Sequence, residues 1–326
     1  MSVRETRAEG ARVVVTGSQG FVGRHVRKSL ARRGAVCIGV DRPGTGAEIE
    51  IDLSLETFDP NVVWDAVGGK ADSLIYMAAN ITRTSSVDEA ARSNLRLIAE
   101  AQVRLIEAGH ARSVCSHVVD CSTFKIFGPQ QERTGIVAAT HPRRPDPYSY
   151  GSAKALAERL LAIASRRAGF TYSMVHPTCI YGPGQHLHNA IPLFLKACLA
   201  GENPVVFGDG KSVRDDVYAP DLADVLIETA LTKKTGSFHA TGDVGRTILE
   251  VARNCCEAVA KIGGKSGLEP RLEEGKPPKW WLDQTFDRKP TRCAFGYEPT
   301  PQIDALVAEA KWIQEGAPKD HERFAP

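Results

Sequence analysis

No stretch of this 326-residue chain approaches the ~18 consecutive apolar residues that a membrane-spanning helix needs, so no such span is expected. There is no basic block either. Forty-one Lys and Arg face 39 Asp and Glu, a formal net charge of +2, which argues against nucleic acid or a membrane surface as partner. The eight cysteines, at 37, 115, 121, 179, 198, 255, 256 and 293, show no metal-ligand pair spacing. Adjacent Cys255 and Cys256 are no zinc knuckle, so no metal site is expected, and scattered thiols fit a reduced cytosol. Residues 1–11 are polar with no apolar core. No secretory leader is expected from them, and a cytoplasmic location is. Internal repeats are absent. A composition of 42% hydrophobic and 25% charged residues is ordinary for a globular protein, and the length suits one large domain or two small ones.

What is present begins at Arg12. Residues 12–16 are a β-branched run without alternation, the pattern of a strand buried on both faces. The run feeds Gly17-Ser-Gln-Gly20-Phe21-Val22-Gly23. Val22, Val26 and Leu30 then read as a helix closed by Gly34, and residues 35–40 as a second buried strand ending at Asp41. Strand, glycine loop, helix, strand and acid form a dinucleotide-binding pattern. The glycines let backbone N–H groups reach a pyrophosphate at the helix N-terminus. Asp41 stands where a carboxylate accepts the ribose hydroxyls. A carboxylate there repels a 2′-phosphate and favours NAD over NADP, while neighbouring Arg42 points the other way. The alternative is a glycine-rich turn beside an ordinary surface aspartate.

The alternation continues. Strands are expected at 73–79, 113–121 and 172–176, with helices at 86–108 and 152–167. Small Ala78 and Ala79 close the 73–79 strand where a cofactor would pass. Strands alternating with helices imply an α/β fold with a Rossmann-type, doubly wound parallel sheet, whose ligands lie beyond the carboxyl ends of the strands.

Tyr150 and Lys154 are four residues apart at the start of the 152–167 helix, hence on one face. A free phenol with a pKa of about 10 is a poor base at neutral pH. A nearby ammonium favours the phenolate, and the ammonium together with a second positive charge, such as an oxidised nicotinamide ring, could lower the tyrosine pKa in a partly dry site. The alternative is two polar residues on an exposed helix face. From Pro177 the texture changes to loops rich in Pro, Gly and His. Elements are expected at 191–200 (helix), 204–207 (strand), 221–231 (helix) and 236–240 (strand), with two helices in 245–316 around a Pro- and Lys-rich middle. The expected division is a cofactor domain of 11–176 plus about 213–243, a smaller discontinuous cap of about 177–212 and 244–316, and a tail of 317–326.

These motifs, in this order, resemble the extended short-chain dehydrogenases/reductases, within the NAD-dependent epimerase/dehydratase group that acts on nucleotide sugars. The resemblance runs from about residue 12 to 312. It rests on Thr16-Gly-x-x-Gly-Phe-x-Gly23, Asp41, Asp52-Leu53, Ala78-Ala79, Ser122-Thr123 ahead of Gly128, Tyr150-x-x-x-Lys154, Tyr181-Gly-Pro183, Phe207-Gly-Asp-Gly210, Arg214-Asp215 and Asp221-Leu-Ala223.

The resemblance implies a catalytic trio. Thr123 hydrogen-bonds the reacting hydroxyl, Tyr150 is the acid/base, and Lys154 binds the nicotinamide ribose and lowers the tyrosine pKa. Asp52 and Leu53 sit near the adenine. Asn189 of Asn-x-x-Pro192 holds the diphosphate, Phe207 packs on the base and Arg214 pairs with phosphate. For these last three the residues leave other readings open: a helix cap, a core aromatic, and a pair with Asp215 or Asp216.

The implied reaction is proton removal by Tyr150 with hydride passing to NAD, giving a ketosugar. The ketosugar is then epimerised, most plausibly at the 4-position, or dehydrated, or released. A net dehydrogenase or reductase and a non-catalytic dinucleotide sensor are the competing readings. A homodimer is expected, packed through helices 86–108 and 151–168.

The chain also departs from the family pattern. Phe124 and Lys125 replace the Asp-Glu of 4,6-dehydratases, which lowers that reading. Phe127 replaces a tyrosine, His176 an arginine, Cys179 an asparagine and Asp216 an aromatic. Lys125 is either a solvated loop residue or the partner of a substrate carboxylate or extra phosphate.

Overall fold

The computed structural model describes residues 5–80, 92–128, 136–140, 149–275 and 285–317, together with Val3, Pro142 and Arg143. The expected tail beyond 317, residues 86–91 of the expected 86–108 helix and most of the Pro- and Lys-rich middle lie outside these.

Seven strands form one sheet: β1 (Arg12–Thr16), β2 (Val36–Asp41), β3 (Ile49–Glu50), β4 (Ser73–Tyr76), β5 (His117–Cys121), β6 (Thr171–Pro177) and β7 (Gly236–Ala240). Their order is β7-β6-β5-β4-β1-β2-β3, and every neighbouring pair is parallel. This is the Rossmann-type sheet that the alternation implied. The chain leaves β1 toward β2 and returns on its other side at β4, so the topological switch lies between β1 and β4. Ligands of such sheets bind beyond the strands at that point. Strands β4 and β5 are shorter than the apolar runs suggested. Beyond Tyr76 the backbone N–H groups of Met77 and Ala78 turn to the Thr16 hydroxyl, at 3.0 and 3.2 Å, instead of continuing the ladder.

Helices cover both faces. On one, α1 (Phe21–Arg32) packs on α6 (Ala219–Thr232) through a core that includes Val13, Val15, Val26, Leu30, Val225 and Leu226. Buried Arg33 ties the two together. Its guanidinium lies 3.0 Å from Asp224 and also meets Glu228. On the other face lie α2 (Pro60–Val67), a π-helical turn (Leu95–Glu100) leading into α3 (Ala101–Ala111), and α4 (Ser149–Ala168). Trp64 is buried there and donates its indole N–H to the Leu105 carbonyl at 2.8 Å.

A separate apolar cluster joins α5 (Ala190–Leu199), α7 (Ile248–Lys261) and α9 (Gln302–Gln314) through Leu195, Cys198, Val251, Val259 and Leu306. The described residues of 245–316 hold three helices, where two were expected. The extra one, α8 (Lys289–Phe295), carries proline at its start and ends at Gly296 in the left-handed conformation, φ 66°. Its Phe295 packs edge-on against Phe238 of β7, ring centroids 4.9 Å apart.

Candidate active site

The glycine loop leaves β1 at the switch point. Gly17 has φ +69°, and a Cβ there would lie 3.2 Å from the backbone nitrogen of Ala78. At Gly23 a Cβ would sit 2.2 Å from the Gly17 carbonyl oxygen. The loop therefore lies flat on the end of β4 and against the first turn of α1. The cap residue of that turn, Gly20, has no side chain to bond the helix N–H groups, and the turn holds no acid. It presents backbone donors and a positive dipole end, which suits a pyrophosphate. Phe21 and Val22 form the turn itself, half-buried.

Asp41 ends β2 beside the loop. Its carboxylate accepts from Gln19 N and from Arg42 N, both at 2.8 Å, which holds it at the loop's rim. Asp52 accepts from both the N–H and the hydroxyl of Ser54. Leu53 is buried in the core beneath. Ala78 and Ala79 are half-buried just past β4.

The second half of the site grows from β5. Two residues past its end, Thr123 opens a single 3₁₀ turn, Phe124–Phe127, and accepts from Lys125 N at 3.4 Å. Thr123 bears on the Tyr150 phenol and favours its ionised form. Tyr150, Lys154 and Glu158 follow one another at four-residue spacing along α4, one stripe facing the strand ends. Lys154 is 1% exposed. Its ammonium reaches Asp120 Oδ1 at 3.2 Å and donates to the Cys121 carbonyl at 2.6 Å. Asp120 and Tyr150 both raise the lysine pKa against burial, so it stays charged.

Lys154 by itself does not lower the phenol below its ordinary value. Burial pushes the Tyr150 pKa above its ordinary value, and although Lys154 pulls it down, Asp120 behind the lysine adds to the rise. The sequence pair showed the ammonium and not the carboxylate that partly cancels it.

Two acids escaped the sequence reading. Asp120 is the lone acid in an apolar strand, a signal that was available. Glu158 continues the Tyr150–Lys154 stripe by one more turn. It accepts from Ser122 Oγ at 2.6 Å, lies 2.7 Å from His176 Nε2 and accepts from Arg143 Nε at 3.0 Å. Burial opposes its charge, but these partners outweigh burial and bring its carboxyl down to about 2. Phe127 is buried among His176, His239 and Phe286, with ring centroids 5.3 to 6.2 Å away. It is a packing wall and needs no hydroxyl.

Arg214 lies 2.6 Å from Asp216 Oδ1, so the pair with Asp216 is real. Asn189 occupies the cap position of α5, yet its side chain makes no cap bond. It donates to Gln185 Oε1 at 3.3 Å, and Gln185 in turn donates to buried Glu309. Phe207, 58% exposed, is no core residue. Lys125 is half-buried, its ammonium 5.8 Å from the centroid of the Tyr150 ring. Among the described residues no helix is long and apolar enough to cross a membrane, and no group of three or more His, Cys, Asp or Glu could hold a metal.

A model of the NAD dependent epimerase/dehydratase family matches residues 13–241. The chain belongs to this family. Members of the family are enzymes, and NAD is its cofactor. The cradle at Gly17, Gly20 and Gly23, with Asp41 at its rim, fits that group. Two curated relatives differ in reaction. The dTDP-4-dehydro-6-deoxy-D-allose reductase of Streptomyces bikiniensis is 26% identical over 343 residues, covering 94% of this chain and 98% of the relative. The UDP-glucose 4-epimerase of Mycolicibacterium smegmatis is 25% identical over 313 residues, covering 91% and 96%. The solved structure of MoeE5 in complex with UDP-glucuronic acid and NAD has a TM-score of 0.75 at 24% identity, covering 94% of this chain and all of that one. At that identity the likeness speaks for the fold.

Proposed function

We propose that this protein is a nucleotide-sugar epimerase acting at the sugar 4-position. The observation that carries the reading is Tyr150 with Lys154 one turn along on α4, and Thr123 acting on the same phenol, set beyond the ends of the strands. Thr123 and Tyr150 grip the reacting hydroxyl from two sides. Tyr150 takes its proton and later returns it, a transfer that contributes typically ~10²–10⁴-fold in rate. Lys154 holds the cofactor ribose and steadies the phenolate. When bound, NAD supplies the hydride acceptor and donor and, when oxidised, a second positive charge. The glycines at 17, 20 and 23, with Phe21 and Val22, hold its pyrophosphate. Asp41 with Arg42 holds the adenosine ribose, Asp52 and Leu53 flank the adenine, and Ala78 and Ala79 leave room along its path. Asn189 and Arg214 take the substrate diphosphate, and Phe207 offers its exposed face to the base.

Phe124 and Lys125 stand where dehydration needs acids, which supports epimerisation over loss of water. A net reductase is the second reading, favoured by the similarity to the Streptomyces bikiniensis enzyme. The test is a panel of nucleotide sugars with the purified protein and no added cofactor. Interconversion of 4-epimers by NMR supports the proposal. Turnover only with added NAD(P)H, read at 340 nm, would overturn it in favour of the reductase.

The cofactor domain is assigned residues 11–176 with about 213–243, and the cap about 177–212 with 244–316. The separate apolar cluster of α5, α7 and α9 supports that division. A homodimer is assigned through α4 and the segment before α3, where Leu95, Leu156 and Ile163 are exposed. Light scattering of Leu156→Arg and Ile163→Arg variants tests it, and the expected result is a monomer.

A further inference from the structure

We infer that Glu158 is a positioning residue for the reaction: its carboxylate clamps the end of β5, from Cys121 to Thr123, onto α4, the helix that carries Tyr150. The inference rests on the reading of Tyr150 as the acid/base and names a residue that serves it from one turn beyond Lys154.

Three observations carry it. First, Ser122 and Thr123 are the two residues between the end of β5 and the 3₁₀ turn. The Ser122 N–H donates to the Val175 carbonyl of β6 at 2.8 Å, and the Ser122 hydroxyl donates to Glu158 Oε1 at 2.6 Å. Second, α4 grips this segment at successive turns. Lys154 donates to the Cys121 carbonyl at 2.6 Å, and Glu158 takes the next residue along. Side chains at four-residue spacing share a helix face, so Tyr150 stands in line with both. Third, Glu158 is itself fixed from two further directions. His176 Nε2 of β6 lies 2.7 Å from the oxygen that accepts from Ser122, and Arg143 Nε donates to the other oxygen at 3.0 Å. The side chain is buried, and a buried carboxylate with partners on three segments is held to one place.

Thr123 and Lys154 both favour the ionised phenol. One is bonded along the chain to Ser122, and the other is anchored on the carbonyl just before it. Loss of the Ser122 bond therefore loosens both supports of Tyr150 at once, although no group assigned to the substrate or the cofactor has been changed.

The experiment uses the NAD-loaded protein as wild type, Ser122→Ala, Glu158→Gln and the double variant, with Tyr150→Phe as the optical blank. Ser122→Ala cuts the bond to the strand end and leaves the carboxylate with His176 and Arg143, which separates positioning from folding. Two quantities are read: kcat and KM on UDP-glucose and the other nucleotide sugars of the panel, and titration of the phenol by ultraviolet difference absorbance after pH jumps, which needs no substrate. In Ser122→Ala, kcat is expected to fall by about ten- to a hundredfold with KM little changed, the scale of a slight misplacement of reacting groups. The phenol is expected to titrate at higher pH than in wild type. The double variant is expected to lose no more kcat than Glu158→Gln alone, since both substitutions break one clamp. An unchanged kcat or an unmoved phenol titration in Ser122→Ala overturns the inference. A loss confined to Glu158→Gln also overturns it, because Glu158 then serves the fold through His176 and Arg143. If wild type turns over no nucleotide sugar, the function proposed above falls, and the phenol titration alone decides this inference.

Discussion

The ammonium of Lys154 lies 3.2 Å from Asp120 Oδ1 at the end of β5, with both side chains almost wholly shielded from solvent. The lysine that should ease proton loss from Tyr150 thus shares its charge with a carboxylate one strand end away. Asp120→Asn removes that competition. The kcat of the variant is expected to reach half its maximum at lower pH than that of wild type, because one of the charges raising the tyrosine pKa is gone. Stability is expected to fall by about 3–5 kcal/mol, the usual cost of leaving one partner of a buried pair uncompensated. A pH–rate profile and urea unfolding check the two effects separately, and an unmoved acid limb would disconnect Asp120 from the tyrosine's titration.

Gly23→Ala is expected to damage the cofactor cradle. The new methyl would stand 2.2 Å from the Gly17 carbonyl and 2.7 Å from the Ser18 backbone, and backbone cannot swing aside as a long side chain can. Overpacking of this kind costs about 1–3 kcal/mol. Because the strain falls in the loop proposed to hold the pyrophosphate, NAD affinity is expected to drop by about tenfold or more, for which 1.4 kcal/mol suffices. Calorimetric titration with NAD, alongside a melting curve, measures both.

Glu158 gives the protein an acid-side stability limb. Its carboxyl is brought from 4.5 to about 2 in the folded state despite burial. A lowered folded pKa contributes stability above the unfolded value and loses it as pH falls through the folded one. Wild type is therefore expected to lose about 3 kcal/mol between pH ~4.5 and ~2 from this group. Glu158→Gln is expected to lack that share of the slope and to be less stable near pH 7. Denaturant titrations at a series of pH values give the slopes directly, and parallel curves would contradict the assignment.

Glu309 works in the opposite direction. Buried in the cap core, it is pushed up to about 8 by burial and by Asp216, with only Gln185 opposing. A raised folded pKa means stability that is full below the unfolded value of 4.5 and lost as pH rises toward 8. The loss is on the order of 5 kcal/mol at most. Glu309→Gln is expected to flatten this decline and to leave the variant more stable than wild type above pH 8. Gln185 also bonds Asn189, so substrate KM in the variant reports whether that short relay positions Asn189.

Much of the molecule was legible in the chain. The run at 12–16, the glycines after it and Asp41 named the first half of the site, because those features depend on local backbone geometry. The strand at 236–240 and the helix at 190–199 fell within a residue or so of their expected places. Strand β4 ended early because the Thr16 hydroxyl, sixty residues away in sequence, captures its next N–H groups. The helix α2 was passed over, since Asp59 capping at Pro60 is a signal only once a helix is suspected there.

The sequence by itself determined the parallel sheet, the glycine loop after its first strand and the placing of Tyr150 and Lys154 on one helix face, since each follows from spacing along a strand, a turn or a helix face. Tertiary structure alone decided how these groups are charged. Asp120 reaches Lys154, Glu158 gathers Ser122, His176 and Arg143, and Lys125 comes to stand over Tyr150, all by contacts between separate elements. Electrostatic energy depends on distance and on exclusion of water. Neither is written in the order of residues, so a pair that reads as an activated phenol becomes, once folded, a phenol held high by burial and tuned by a carboxylate behind its lysine.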